Sequence, residues 1–225
     1  IDKIFFINLK HRKDRYQQIN DEFKKMDFPK NKIERIDAVN AKYNGHIGCC
    51  KSHIKTLNNI LENNYKYSLV FEDDFIFTVD KKTFNDKLTT FFKNYSNNWD
   101  IIQLTSGHKT LEDINDRDIK RVKSATTSSA YLINNDFVPK LLDDFKEALG
   151  KMKIEMNEYK QNNYMLKKRN TAFALDQHWS SLQAKSKWYI FDPYLGEQGG
   201  LAGKSSIMNK HIEGFTGKYK IYSKI

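Results

Sequence analysis

A chain of 225 residues, 39% hydrophobic and 13% aromatic, carries enough apolar side chain for a full core, which excludes wholesale disorder. Lys and Arg outnumber Asp and Glu by 38 to 28, a net +10, which favours anionic partners without choosing among nucleic acid, acidic membranes and phosphorylated ligands. No nucleic-acid motif accompanies the basic residues and no run of about 18 apolar residues exists, so neither nucleic-acid binding nor an integral membrane segment is expected.

The first element is "KIFFINL", a run of β-branched and aromatic residues that reads as a buried strand. Tyr16, Ile19, Phe23 and Met26 follow at helical spacing, completing a strand-helix unit. "IERIDAV" is a second strand, and Ile47, Cys50, Ile54, Leu57 and Leu61 mark an amphipathic helix. "YSLVF" is a third strand; Phe84, Leu88, Phe91 and Tyr95 a helix; "WDIIQL" and "SSAYLI" further strands; Phe137, Leu141, Phe145 and Leu149 another helix. Strands alternating with helices predict an α/β layered sheet whose ligands bind beyond the carboxyl ends of the strands. Lys151 to Asn170 is polar with weak periodicity, and a peripheral helix, a lid and an acceptor loop all remain open for it. The stretch from Gly196 holds six of the ten glycines and reads as a flexible or closely approaching segment. The two cysteines, Cys49 and Cys50, are adjacent, so free thiols are expected, and a reducing, cytoplasmic location with them. "IDKIFFINLK" is too short an apolar run for a signal peptide; the first residue is Ile, which leaves a segment ahead of it open.

The chemistry concentrates where "YSLVF" runs into Glu72, Asp73 and Asp74. Three adjacent carboxylates at the end of a buried strand repel one another and lose hydration unless a cation relieves them. An all-oxygen cluster suits Mg²⁺ or Mn²⁺ better than zinc, with a solvated acidic turn as the plain alternative. "GHIGCCKSH" puts Lys51, Ser52 and His53 at a helix start whose free N–H groups suit an anion; an ordinary helix start with a buried His53 is the alternative. Arg12 and Arg15, three residues apart, suit either one shared ligand or surface pairing with Asp14.

In chain order, "INLKHRKDR", "GHIGCCKSH", "LVFEDD", "SSAYLI", "ALDQHW" and "PYLGEQ" with a later "SSI" resemble glycosyltransferase family 25, which includes lipopolysaccharide-type and procollagen galactosyltransferases. The resemblance implies a single domain over residues 1–225 with a Rossmann-like A-type glycosyltransferase fold, a mostly parallel sheet flanked by helices. Residues 1–110 would form the nucleotide-sugar half, and 111–225 the acceptor side and closing tail. It implies a metal-dependent, inverting transfer of galactose or glucose from a UDP-sugar to a hydroxyl of a glycan or hydroxylated protein side chain, with Mn²⁺ or Mg²⁺. The carry-over assigns metal to Glu72 and Asp74, and nucleotide contacts to Asn8, Arg12, Arg15, Ser52, His53, Glu72 and Asp73. Inverting transfer needs a general base for the acceptor hydroxyl. Asp176 is the candidate, against a first-turn carboxylate of a helix whose stripe is Leu175, Trp179 and Leu182. Gln177 and His178 beside it suit sugar hydroxyls, and Trp179 reads as core. His211, in "HIEGFTGK", is a late histidine that related A-type enzymes use as a metal ligand, although Lys218 is one residue out of place and a solvent-exposed histidine is the alternative. The family's closing Ser-Asp-Ile is here Ser205, Ser206 and Ile207, so a hydroxyl stands where a carboxylate is usual. A catalytically inactive sugar-nucleotide or glycan binding module is the competing expectation. Oligomeric state is not legible.

Overall fold

The computed structural model describes residues 1–42, 44–161 and 172–199. In chain order they form β1 (Lys3–Asn8), α1 (Lys13–Lys25), a 3₁₀ turn, β2 (Ile33–Asp37), α2 (Gly45–Glu62), β3 (Tyr67–Glu72), β4 (Phe75–Phe77), α3 (Lys81–Tyr95), β5 (Ile101–Gln103) and β6 (Lys109–Asp113). There follow β7 (Ile119–Ala125), β8 (Ala130–Asn134), a second 3₁₀ turn, α4 (Val138–Gln161), α5 (Leu175–His178), α6 (Ser180–Gln183), β9 (Trp188–Phe191) and β10 (Gly196–Gln198). His211, Lys218 and the Ser205, Ser206 and Ile207 motif lie outside the described residues.

Eight strands make one sheet in the order β2-β1-β3-β8-β5-β9-β7-β6, and β4 pairs with β10 in a separate ribbon. Only β8 and β7 run against the rest, so the sheet is mostly parallel in strand direction and flanked by helices, as the sequence predicts. The β1 sequence is apolar almost throughout because both of its faces are covered. Phe5 and Ile7 join Val70 of β3 and Ile47, Cys50 and Leu57 of α2 in one core layer. Ile4 and Phe6 join Leu69 and Phe71 of β3, Ile19 and Phe23 of α1 and Met26 just after it in the other. Each fully buried Phe contributes on the order of 1.5–3 kcal/mol, so this alternation fixes the strand register.

Four local readings change. Tyr16 is exposed rather than core; it leans on Phe6, with the Arg35 guanidinium 5.5 Å from its ring centre. The helix beginning at Val138 continues past Gly150 to Gln161, absorbing the start of the segment left open at Lys151. The start of α2 is not open to an anion in the expected way, because the Asn44 side chain accepts from the His46 and Ile47 N–H groups. Five strands, β4, β6, β7, β9 and β10, add to the five predicted. Among the described residues no helix is long and apolar enough to cross a membrane.

Candidate active site

β1 sits between β2 and β3, parallel to both. From β1 the chain passes through α1 to β2 on one side, and from β3 it passes through β4 and α3 to β5 on the other, so it leaves β1 and β3 in opposite directions along the sheet. Such a reversal opens a crevice beyond the carboxyl ends of the two strands. The last residues there are Asn8 and Glu72, and Ile7 is the register partner of Glu72.

Asn8 is buried and joins the two strand ends. Its Nδ2 donates to Asp73 Oδ2 at 2.7 Å and to the Arg12 carbonyl at 3.1 Å, while its Oδ1 accepts from Arg35 Nε at 3.1 Å. Arg15, projecting from α1, places Nη1 3.0 Å from both Asp73 Oδ1 and Asp74 Oδ2. A guanidinium therefore relieves part of the repulsion in the acidic run. Burial still raises the Asp73 carboxyl, against the bond from Asn8 and the charge of Arg15. Asp74 rises to about 7, first through burial, then through the charges of Glu72 and Asp73, with Arg15 opposing. Burial pushes Glu72 the same way, but the bonds from His53 and Ser128 and the charge of Arg15 outweigh it, and its pKa falls below 4.5.

Glu72 is held by three groups on one oxygen. Oε1 accepts from Ser128 Oγ at 2.6 Å and lies 3.3 Å from His53 Nε2 and 3.8 Å from Cys49 Sγ. His53 is fully buried, with Nδ1 3.0 Å from the Tyr131 hydroxyl. Ser52 is equally buried; its hydroxyl donates to the Gly48 carbonyl at 2.7 Å and accepts from the Val39 N–H at 2.8 Å. Ser52 thus spends its hydroxyl on backbone groups, while His53 turns Nε2 toward Glu72. Gly48 is required by the same packing, since a Cβ there would lie 2.5 Å from the Val39 carbonyl oxygen.

Arg12 lies at the mouth. Its Nε and Nη2 pair with Asp14 at 2.9 and 2.6 Å, and the charges of Asp73 and Asp74 also reach it.

From the other half of the sheet, Asp176 on α5 accepts from the Thr127 N–H at 3.0 Å. Thr127 has φ 76°, a left-handed conformation that costs a non-glycine residue on the order of 1 kcal/mol or more. Burial raises the Asp176 carboxyl, Glu72 raises it further, and His46 and the Thr127 N–H oppose. Asp176, Glu72 and His46 thus share one electrostatic environment. The neighbours of Asp176 are differently engaged. His178 Nδ1 lies 3.1 Å from Asp144 Oδ1 and its Nε2 3.1 Å from Lys151 Nζ, tying α5 to α4, while Gln177 is exposed. Trp179 is fully buried, as expected, and donates to the Ala125 carbonyl at 2.8 Å.

Sequence reasoning missed Gln198 as a site residue. Its Nε2 lies 3.4 Å from Asp74 Oδ2, and the Gly199 N–H donates to the Asp74 carbonyl at 2.8 Å. The glycine-rich "GEQGG" was the available signal. Gly196 passes so close to Phe75 that a Cβ would lie 2.2 Å from its ring.

By chemistry the donor set suits a hard divalent cation, although among the described residues the carboxylates of Glu72, Asp73 and Asp74 do not all converge within 4.8 Å of one another and Arg15 sits between the two aspartates. Glu72, Asp73 and Asp74 offer only carboxylate oxygens, and burial together with the charges of Glu72 and Asp73 raises the Asp74 carboxyl even with Arg15 beside it.

The family model for glycosyltransferase family 25 (LPS biosynthesis protein) matches residues 43–159. No curated protein matches the chain. Similar solved structures include A197 from STIV, at 13% identity and TM-score 0.44, covering 84% of this chain and 81% of that one. A glycosyltransferase involved in glycosylation of the major capsid of PBCV-1 is 8% identical with TM-score 0.41, covering 84% and 92%. A UDP-glucose pyrophosphorylase complexed with UDP-glucose is 8% identical with TM-score 0.48, covering 85% and 90%. At these identities and scores none of the three bears on the chemistry of the site.

Proposed function

Because the chain belongs to glycosyltransferase family 25, we propose that it moves galactose or glucose from a UDP-sugar to a hydroxyl of a glycan or hydroxylated protein side chain, with inversion. The observation that carries this reading is the Glu72–Asp74 carboxylate run at the carboxyl end of β3, beside the end of β1, where Asn8 and Arg15 hold Asp73. Glu72 and Asp74 would hold Mn²⁺ or Mg²⁺, with His211 as a further ligand. When bound, such a cation offsets the charge that develops on a departing diphosphate.

The chain's own residues do the rest. Asn8 and Arg15 fix Asp73 and so set where the nucleotide rests, Arg12 at the mouth is positioned to meet a diphosphate, and Ser52 and His53 hold that wall from behind. Residues 1–110 supply this nucleotide side, and 111–225 the acceptor side, from which Asp176 reaches in. The acceptor oxygen forms its bond to the anomeric carbon as the bond from that carbon to the diphosphate breaks, and UDP leaves with the electron pair. The acceptor proton passes to the Asp176 carboxylate, whose raised pKa makes it a stronger base than an ordinary aspartate.

One observation favours the competing reading, an inactive binding module: the guanidinium of Arg15 already occupies Asp73 and Asp74. The test is UDP release from UDP-galactose, UDP-glucose and UDP-N-acetylglucosamine, with Mn²⁺, with EDTA and in Asp74→Ala. Cation-dependent release that the substitution removes supports transfer and names the donor; UDP binding without release from any donor supports the module.

A further inference from the structure

We propose that Cys49, His53 and Glu72 form a second cation site, for a thiophilic divalent ion of the zinc class, beside the all-oxygen carboxylates.

Cys49 and His53 are four residues apart on α2, so their side chains share one helix face, and Glu72 meets them from the end of β3. Their ligand atoms all lie within 4.8 Å of one another. His53 Nε2 is 3.3 Å and Cys49 Sγ 3.8 Å from Glu72 Oε1. A tetrahedral ion bound at about 2.0 Å to nitrogen or oxygen and 2.3 Å to sulfur needs edges of roughly 3.3 Å between nitrogen and oxygen and roughly 3.5 Å from either to sulfur. The His53–Glu72 edge already has that length and the Cys49–Glu72 edge is a few tenths of an ångström longer, so small side-chain shifts close the triad on an ion.

The surroundings also match a ligand set. The second ring nitrogen of His53 is held by the Tyr131 hydroxyl at 3.0 Å, and the tautomer that donates there turns the Nε2 lone pair toward Glu72 and Cys49. Ser128, in the loop between β7 and β8, donates to the Glu72 carboxylate at 2.6 Å. Cys49 is half-buried, which leaves a path for the ion, whereas the neighbouring Cys50 is fully buried and donates to the Phe145 carbonyl. A thiolate selects the zinc class over Mg²⁺ or Mn²⁺, and three protein ligands leave a fourth position for water. On binding, the sulfur pair of Cys49 goes to the ion and its proton leaves to solvent, while His53 enters neutral and Glu72 as carboxylate. Glu72 is common to both cation sites, so occupancy of the second ties it toward α2.

The proposal does not depend on sugar transfer, because its test needs no donor. The full chain, stripped with EDTA and kept reduced, is titrated with Co²⁺ in excess Mg²⁺ and then with Zn²⁺. The expected result is a thiolate-to-cobalt charge-transfer band that saturates at one equivalent, is abolished by Zn²⁺, and accompanies release of one proton. Cys49→Ser, with unchanged circular dichroism, removes the band and weakens Zn²⁺ by at least about tenfold, the loss that even an outer-shell partner causes. Asp74→Asn keeps the band. No band in the unmodified chain, or Zn²⁺ affinity unchanged in Cys49→Ser, overturns the proposal; a band lost equally in Asp74→Asn means a single shared site and overturns it too.

Discussion

Replacing Asp74 by Asn should make the cation-free protein more stable, and the gain should depend on pH. Asp74 is 7% exposed, and its carboxyl is raised from 3.8 to about 7 by burial and by the charges of Glu72 and Asp73. A raised value means that the folded chain holds the proton more tightly than the unfolded chain does. The resulting stabilisation is complete below the unfolded value and is lost as pH rises through about 7. Above that pH the ionised carboxylate weakens the fold by up to about 4 kcal/mol, at about 1.4 kcal/mol per tenfold change in proton affinity. Asparagine keeps the shape and stays neutral. Relaxation of the neighbours brings the expected gain to about 2 kcal/mol, roughly 4–8 °C for a chain of this size. The assay is thermal unfolding of both proteins in EDTA at pH 8 and pH 5. The difference should be largest at pH 8, shrink at pH 5, and narrow when Mn²⁺ is added to the unmodified protein. An Asn variant no more stable than the parent at pH 8, or a gain equal at both pH values, refutes the reasoning.

Arg15→Met leaves Asp73 and Asp74 without their guanidinium and should cost about 3–5 kcal/mol at pH 8, read from the urea midpoint, with part of the loss recovered as pH falls and the acids protonate. Asp176→Asn should lower kcat by about 10²–10⁴ while the Kd for UDP stays unchanged; in the parent, kcat/KM should rise with pH through a value above that of an ordinary aspartate, because a base must be ionised to act. Trp179→Ala should cost about 3–5 kcal/mol by opening a cavity between α5 and the sheet, the Ala125 carbonyl keeping its second donor, Gln183 Nε2, at 2.9 Å; a chemical-denaturation curve measures it. Proton NMR of the first-formed product from an α-linked donor should give the β-anomer.

The elements legible in the sequence were those buried on both faces or along a clear stripe. β1 and β3 present continuous apolar runs, and α2 repeats its apolar residues at three and four. β6 is an edge strand whose one apolar residue is Leu111, so nothing local distinguishes it from a loop. β9 has four residues, too few for a period, and β10 exists only through pairing with β4, more than a hundred positions earlier in the chain. The site divides in the same way. Glu72, Asp73 and Asp74 are a local run and could be read directly. The cation found between Asp73 and Asp74 is Arg15, and that pairing depends on α1 packing across β1 and β3. Gln198 and Thr127 reach the site through contacts that no spacing encodes. The Asn44 cap was written in the sequence beside Gly45, and it takes the N–H groups that an anion would have used.

The central claim is that the carboxylates at the β1/β3 reversal bind a nucleoside diphosphate through a divalent cation. Calorimetric titration of UDP into the full chain, with Mn²⁺ and then with EDTA, tests it most directly. Saturable binding with Mn²⁺ that falls by at least about tenfold in EDTA, and equally in Asp74→Ala, is the predicted result. UDP affinity that is the same with EDTA as with Mn²⁺, or no UDP binding in either, would contradict the claim.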